Sequence, residues 1–288
     1  MRHDSPREVL RAARTAASAA DAPLLLAVSG GLDSMVLLYA MAATARRRIA
    51  AVATFDHGTG PAASAAAAHV ARTAALLRLP VVMGRDDAHE PTGGGREAEW
   101  RRARYRFLES AATALEARIV TAHTADDQIE TVLMRVMRGS GARGLAGLFA
   151  PGPVLRPFVG LRRTTLAAYS REARIRFRTD PTNDGREFLR NRVRHDLLPA
   201  LRTVRPAIDE ELLTVATRAA AWRAEVEKHI DRTVHPRREG SNTLSVASQE
   251  LSGYDRDSLS VLWGALGGRV GLALDRRGAE RLAAFTVG

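Results

Sequence analysis

The 288-residue chain contains no cysteine. Disulfides, thiolate zinc sites, cysteine-bound iron–sulfur clusters and a cysteine nucleophile are therefore excluded. Lysine is almost as scarce: Lys228 is the only one, so 42 of the 43 basic residues are arginine. A Walker phosphate loop, which needs a lysine directly after its glycines, is thereby ruled out. No apolar run approaches the length of a membrane-spanning helix. The first twenty residues are charged and amphipathic, without the continuous apolar core of a secretory signal. The chain reads as a soluble, cytoplasmic protein with no membrane partner.

What is present in excess is positive charge. The formal net charge of +11 suits a polyanionic partner such as nucleic acid. The near-total use of arginine beside abundant alanine also fits a coding bias, so the position of the arginines carries more information than their number. The length accommodates one large or two ordinary domains.

Along the first half, apolar runs alternate with helical patterns. Strands are expected at 24–28, 49–55, 80–83 and 118–121, and helices at 34–45, 62–79, 97–117 and 125–138. This order predicts an α/β fold: a parallel sheet with helices on both faces, followed by a smaller, mainly helical C-terminal domain. After a glycine-rich stretch from Gly139, an extended piece is expected at 154–157 and a helix at 162–173. Residues 179–185 read as a loop by their turn chemistry, and helices follow at 187–201 and 208–230. With Pro206 as the break, residues 1–205 are expected to form the catalytic domain and 206–288 a small helical domain.

Ligands of such sheets bind beyond the C-terminal ends of the strands. Three segments should meet there. The first is Ser29-Gly30-Gly31-Leu32-Asp33-Ser34, between a strand and a helix. Its two glycines let an anion approach the backbone, and the helix start offers unpaired N–H groups and a positive dipole end. Ser29 and Ser34 add hydroxyl donors, and Asp33 a carboxylate that can orient a metal or a ligand hydroxyl. A plain strand-to-helix turn with a serine cap is the alternative reading. The second segment is Asp56-His57-Gly58, whose histidine is read equally well as a satisfied loop residue.

The third segment runs from Thr121 to Glu130 and holds His123, Asp126, Asp127 and Glu130. Asp126 and Glu130, and Asp127 and Glu130, share a helix face, while Ile129, Val132, Leu133 and Val136 form the buried stripe. Acids in a first turn also suit the helix dipole. Together with His123 at the sheet's rim they exceed what capping requires. Mg²⁺, which takes carboxylate and phosphate oxygens, could be held by Asp127 and Glu130 facing the glycine turn. Gly139 to Gly144 spells GxGxxG but follows a helix rather than a strand, so it is rejected as a dinucleotide fingerprint. Arg143 in that loop is read as a phosphate contact. Between Arg174 and Arg205 there are nine arginines against four acids. Arg190, Arg192 and Arg194 present forked donors suited to phosphates, with a solvated helix face as the alternative. Trp100 to Phe107, with Arg101, Arg104 and Tyr105, reads as another basic–aromatic helix or, equally well, as an amphipathic packing helix. His69, Met35 and Met41 are read as packing residues, and Lys228 receives no catalytic role.

In combination, SGGLDS resembles the signature of the N-type ATP pyrophosphatases, or PP-loop superfamily, which cleave ATP between the α and β phosphates. HTADDQIETVLMRVMRGSGARGL and DPTNDGREFLRNRVRHDLLPAL are similar, more narrowly, to the tRNA(Ile)-lysidine synthetase family. DHGTGP and WRRARYRF fall between them in the expected order, so that the resemblance covers roughly residues 22 to 205. It implies an adenine nucleotide alpha hydrolase-like fold and a two-step ligation. ATP would adenylate the carbonyl oxygen at carbon 2 of the wobble cytidine in the CAU anticodon of tRNA(Ile), releasing pyrophosphate. The ε-amine of free L-lysine would then displace AMP and give lysidine.

By that resemblance Ser29, Gly30, Gly31, Leu32, Asp33 and Ser34 hold ATP. Asp33, His123, Asp126 and Asp127 are the catalytic candidates, and Asp126, Asp127 or Glu130 binds Mg²⁺ or the lysine ammonium. Arg143, Arg190, Arg192 and Arg194 contact tRNA. The chain departs from the family pattern in its alanine-rich segment 61–71, in Ala122-His123-Thr124, where a Gly-His-His run is common, and in the short region after 205. Thiolating relatives depend on cysteines that are missing here, and amidotransferase-coupled ones would need ammonia from a partner. A non-enzymatic RNA-binding protein on the same fold is the alternative from a different class. Oligomeric state is open, a homodimer included.

Overall fold

A computed structural model of the chain describes residues 5–86, 96–178, 185, 188–239, 243–272 and 274–287. Two compact units are distinguished: residues 1–131 with 151–209, and 132–150 with 210–288. The glycine-rich stretch after residue 138 therefore groups with the C-terminal residues.

The elements follow in the order α1 (Ser5–Ser18), β1 (Leu24–Ala27), α2 (Leu32–Ala45), β2 (Ile49–Asp56), α3 (Pro61–Leu76), β3 (Val81–Arg85), α4 (Arg96–Ala114), β4 (Arg118–Val120) and α5 (Ala125–Met137). After α6 (Ala142–Leu145) come α7 (Arg163–Glu172), α8 (Leu189–Arg192), a π-helical turn over Val193–Leu197, α9 (Leu198–Val204) and α10 (Ile208–Thr233). The remainder comprises β5 (Arg237–Arg238), β6 (Leu244–Ser245), α11 (Ser248–Leu251), α12 (Arg256–Arg269) and α13 (Arg276–Val287).

In the first unit four parallel strands lie in the order β3-β2-β1-β4. Both faces are covered, which is why the strands read as continuous apolar runs instead of alternating. On one face Leu24, Leu26 and Val28 pack with Val9 of α1, Met35 and Leu38 of α2, Val70 of α3 and Leu166 of α7. On the other, Leu25, Ala51, Ala53 and Ile119 meet Leu108 and Ala112 of α4. Leu155 extends the sheet beside β4, its amide donating to Ile119 O at 2.8 Å while Thr121 N donates to Leu155 O at 2.9 Å. The strand order reverses between β1 and β4, so the switch-point crevice opens between the segments that leave those two strands.

Most expected elements agree with these bounds to within a few residues. The helix expected at 187–201 instead begins at Leu189, widens into the π turn and continues to Val204. Pro199 lacks the amide that would bond four residues back, which disfavours a regular helix there. Of the expected loop at 179–185 only Gly185 is among the described residues; Arg186 and Glu187 also lie outside them. In the second unit, Ile230, Leu251, Leu259, Leu262, Leu266 and Ala283 form the core, drawn from α10 to α13. Among the described residues no helix is long and apolar enough to cross a membrane.

Candidate active site

The turn after β1 is held by its own serines. Ser34 Oγ donates to Gly31 O at 2.9 Å and accepts from Ser29 N at 3.2 Å; the two hydroxyls lie 3.2 Å apart. Gly30 has φ +91°, and a Cβ there would sit 3.1 Å from Ala66 O of α3. Both the backbone and the space therefore require glycine. Gly31 caps α2 without a side-chain hydrogen bond, leaving the first amides of the helix available to an anion. Asp33 follows in that first turn. Its Oδ2 accepts from Arg163 Nε at 2.9 Å, while Oδ1 is buried without a hydrogen-bond partner. Burial raises the Asp33 carboxyl above its ordinary pKa, and the opposing pull of Arg163 does not cancel it.

Across the switch point, Thr124 and Asp127 form a reciprocal cap on α5. Asp127 Oδ2 accepts from Thr124 N at 2.8 Å and from Thr124 Oγ1 at 2.9 Å. The other oxygen, Oδ1, accepts from Arg190 at 2.7 Å, Arg163 at 3.3 Å and Arg194 at 3.5 Å. Burial opposes the Asp127 charge, but Arg190, Arg163 and the Thr124 amide outweigh it and hold the carboxyl below its usual range. Glu130, only 2% exposed, accepts from Arg194 Nε at 2.6 Å and Arg190 Nε at 2.9 Å. The buried acids Asp127 and Glu130 and the half-buried Arg190 and Arg194 thus form one network.

Asp126 turns elsewhere. It accepts from the backbone amide of Arg163 at 2.7 Å and pairs with Arg162 at 3.1 Å, which caps α7 from outside. Arg162 continues to Asp209, which Arg202 also holds. Sequence reasoning missed Arg162 and Arg163. A signal was available, since two arginines at a helix start oppose the dipole and require nearby acids.

His123 sits between β4 and α5, its Nδ1 2.7 Å from Thr121 Oγ1. Burial, with help from Arg190, Arg156 and Arg101, lowers its pKa to about 4. At neutral pH the imidazole is therefore uncharged and acts as a hydrogen-bonding group rather than a phosphate-pairing cation.

On the β2 side, Asp56 accepts from Gly58 N at 2.9 Å and Ser64 Oγ at 2.6 Å. Burial works against its ionisation, but these donors hold it below the usual carboxylate range. His57 packs edge-on against Phe55 at 5.0 Å and faces Trp100 at 6.3 Å, which in turn meets Phe188 at 6.3 Å. The structure therefore brings Asp33, Asp127 and Glu130 into one arginine-bridged set. Arg192 is exposed on α8. Arg143 belongs to the second unit, where it pairs with Glu227 at 3.0 Å.

Among the described residues no three acids or histidines are gathered as a metal cage. A cation held by one carboxylate and the phosphates of a nucleotide needs less, and the partnerless Asp33 Oδ1 beside the anion turn fits that donor set.

A glycine turn without lysine, opening a helix at the switch point of a doubly covered parallel sheet, agrees with a class of ATP-utilising protein. The chain belongs to the PP-loop family, whose domain profile matches residues 4–201. More particularly, it is 42% identical over 220 residues to the tRNA(Ile)-lysidine synthase of Solibacter usitatus, covering 74% of this chain and 49% of that protein. It is 43% identical over 218 residues to the same-named protein of Rhodopseudomonas palustris, covering 72% and 62%. For that of Leifsonia xyli the figures are 40% over 200 residues, 67% and 59%. The matched region thus spans about half to three-fifths of these relatives' length. The fold is similar to that of a U34-tRNA thiolase from Methanococcus maripaludis, with a TM-score of 0.62 at 12% identity, covering 76% and 81% of the two chains.

Proposed function

We propose that this chain ligates free lysine to carbon 2 of the wobble cytidine in the CAU anticodon of tRNA(Ile), through an adenylated tRNA intermediate. The observation that carries the reading is the pairing of a lysine-free phosphate turn with a buried carboxylate set across the switch point, in a chain similar to named lysidine synthases. In this reading residues 1–205 perform the chemistry and 206–288 contribute tRNA contacts, with Arg192 and Arg143 as phosphate contacts.

The amides opening α2 and the hydroxyls of Ser29 and Ser34 hold the ATP phosphates and offset charge as pyrophosphate leaves. Asp33 would hold Mg²⁺, which would supply Lewis-acid charge at the ATP phosphates. The cytidine carbonyl oxygen attacks that phosphorus, giving the adenylate. The lysine ε-amine then attacks carbon 2, loses a proton, and AMP departs with the oxygen.

Asp127 and Glu130 supply the negative charge that receives lysine's α-ammonium or its still-protonated ε-amine. Arg163, Arg190 and Arg194 occupy those oxygens in the structure, so substrate binding exchanges one set of cations for another. His123, neutral at the operating pH, lines the adenylate pocket as a hydrogen-bonding wall. A thiolation chemistry dependent on cysteine is unavailable to a chain without one.

The test incubates the protein with ATP, Mg²⁺, radiolabelled lysine and tRNA(Ile) bearing a CAU anticodon. Lysine transfer and AMP release are expected. D33A should abolish both while tRNA binding persists. Folded protein that transfers no lysine would end this reading, and RNA binding with no ATP-dependent activity would leave the binding protein in its place.

A further inference from the structure

Beside the phosphate turn, on the α3 side, lies a basic cavity that the chemistry above does not use. The segment Ile175–Arg178 runs along α3 and is fixed at three points. Ile175 is buried and its amide donates to Ser170 O at 2.9 Å. The Arg176 carbonyl lies 3.0 Å from His69 Nε2 of α3, and the Arg178 amide donates to Gly30 O at 2.9 Å. The backbone that carries Arg176, Phe177 and Arg178 is thus held against α3 and the phosphate turn. Arg176, Phe177 and Arg178, with His69 and Arg72 of α3, line a cavity of about 610 Å³. That volume lies within the range of about 300–1,000 Å³ typical of ligand sites.

Two features indicate what the cavity takes. Among the described residues no carboxylate lines it, and none of the ion pairs involves Arg72, Arg176 or Arg178. Arg190, Arg194 and Arg202, from the same basic stretch, are all committed to acids. In addition, Phe177 presents its ring to solvent at 41% exposure, in the middle of the unneutralised guanidinium groups. A small anion has no use for the ring, and a duplex hides its base faces in the stack. Guanidinium groups around an open aromatic face match an unpaired nucleotide, whose phosphates take the charge and whose base stacks on the ring.

We propose that the cavity between α3 and Ile175–Arg178 binds an unpaired nucleotide of the RNA substrate, one that flanks the reacting base. The inference rests on the RNA reading of the preceding subsection and gives it a defined docking point. The Arg178–Gly30 hydrogen bond ties that point to the phosphate turn, so the strand that delivers the base and the turn that holds ATP share one piece of backbone.

The experiment measures binding of a fluorescein-labelled CAU anticodon stem-loop to the full chain over a series of salt concentrations. F177A should weaken binding about tenfold at fixed salt, the loss expected of one base–aromatic stack. F177W should retain binding, because it keeps a π face. The double variant R72A/R176A should lower the slope of log affinity against log salt by about 1.4, near 0.7 for each lost phosphate contact on a single strand. Binding of an ATP analogue should be unchanged in all three. If the wild type binds the stem-loop and every variant matches it, the cavity assignment falls while the ligase reading stands. A loss confined to R72A/R176A overturns the stacking and with it the unpaired nucleotide. Failure of the wild type to bind any CAU stem-loop overturns both readings.

Discussion

Asp33 holds a carboxylate where burial opposes its charge and only one of its two oxygens has a partner. Such an arrangement costs stability and persists where a ligand uses the charge. The D33N variant should therefore lose ATP-dependent activity by at least about a hundredfold, yet melt no lower than the parent protein in a ligand-free thermal scan. A clear drop in Tm would show that Asp33 is a structural ion pair to Arg163 first. His123 is the second residue with a readable charge state. Its folded pKa of about 4 lies below the ordinary value of about 6.5. On acidification the unfolded chain takes up this proton first. The contribution of His123 to stability is thus complete above about pH 6.5 and is lost as pH falls toward about 4, by on the order of 3 kcal/mol. Urea titrations at pH 7.5 and 5 should show a smaller pH dependence for H123N than for the parent. Equal dependence in both would place the acid sensitivity elsewhere.

At the scale of elements, α5 and the π turn are joined by the Glu130–Arg194 and Asp127–Arg190 pairs. Breaking a buried pair leaves a charge without compensation, so E130Q should destabilise by about 3 kcal/mol. The doubly altered E130L/R194M should recover a large part of that loss, and a double-mutant cycle would expose the coupling. Additive single effects would mean that the two side chains do not act together. These same elements show what a sequence makes legible. The β1 and β2 runs are readable because strands buried on both faces need apolar residues throughout, and α5 because its stripe repeats at helical spacing. The partners of Arg190 and Arg194 are not readable. A run of positive charge has the same appearance whether its counter-charges arrive with a substrate or sit sixty residues earlier in the chain. Arg163 was hidden for a related reason: its role depends on the closeness of α2, α5 and α7, which no local pattern encodes.

At the scale of the whole molecule, the β3-β2-β1-β4 order decides which rim segments meet. Three such segments were legible as candidates. That the turn after β1 and the acids after β4 flank the switch point, with Asp56 one strand further off, follows only from the strand order. One further consequence concerns reactivity. The cations that bridge the site are guanidinium groups, and the sole amine side chain, Lys228, is exposed and engaged with Glu225 in α10. Guanidinium keeps its proton at any physiological pH and does not attack activated carbon. A ligase whose second step awaits an incoming amine would be exposed to capture by its own side chains if lysines lined the cleft. Arginine provides the same charge with no nucleophile behind it, so under the proposed ligation the activated base would wait for a free amino acid without becoming bonded to the protein.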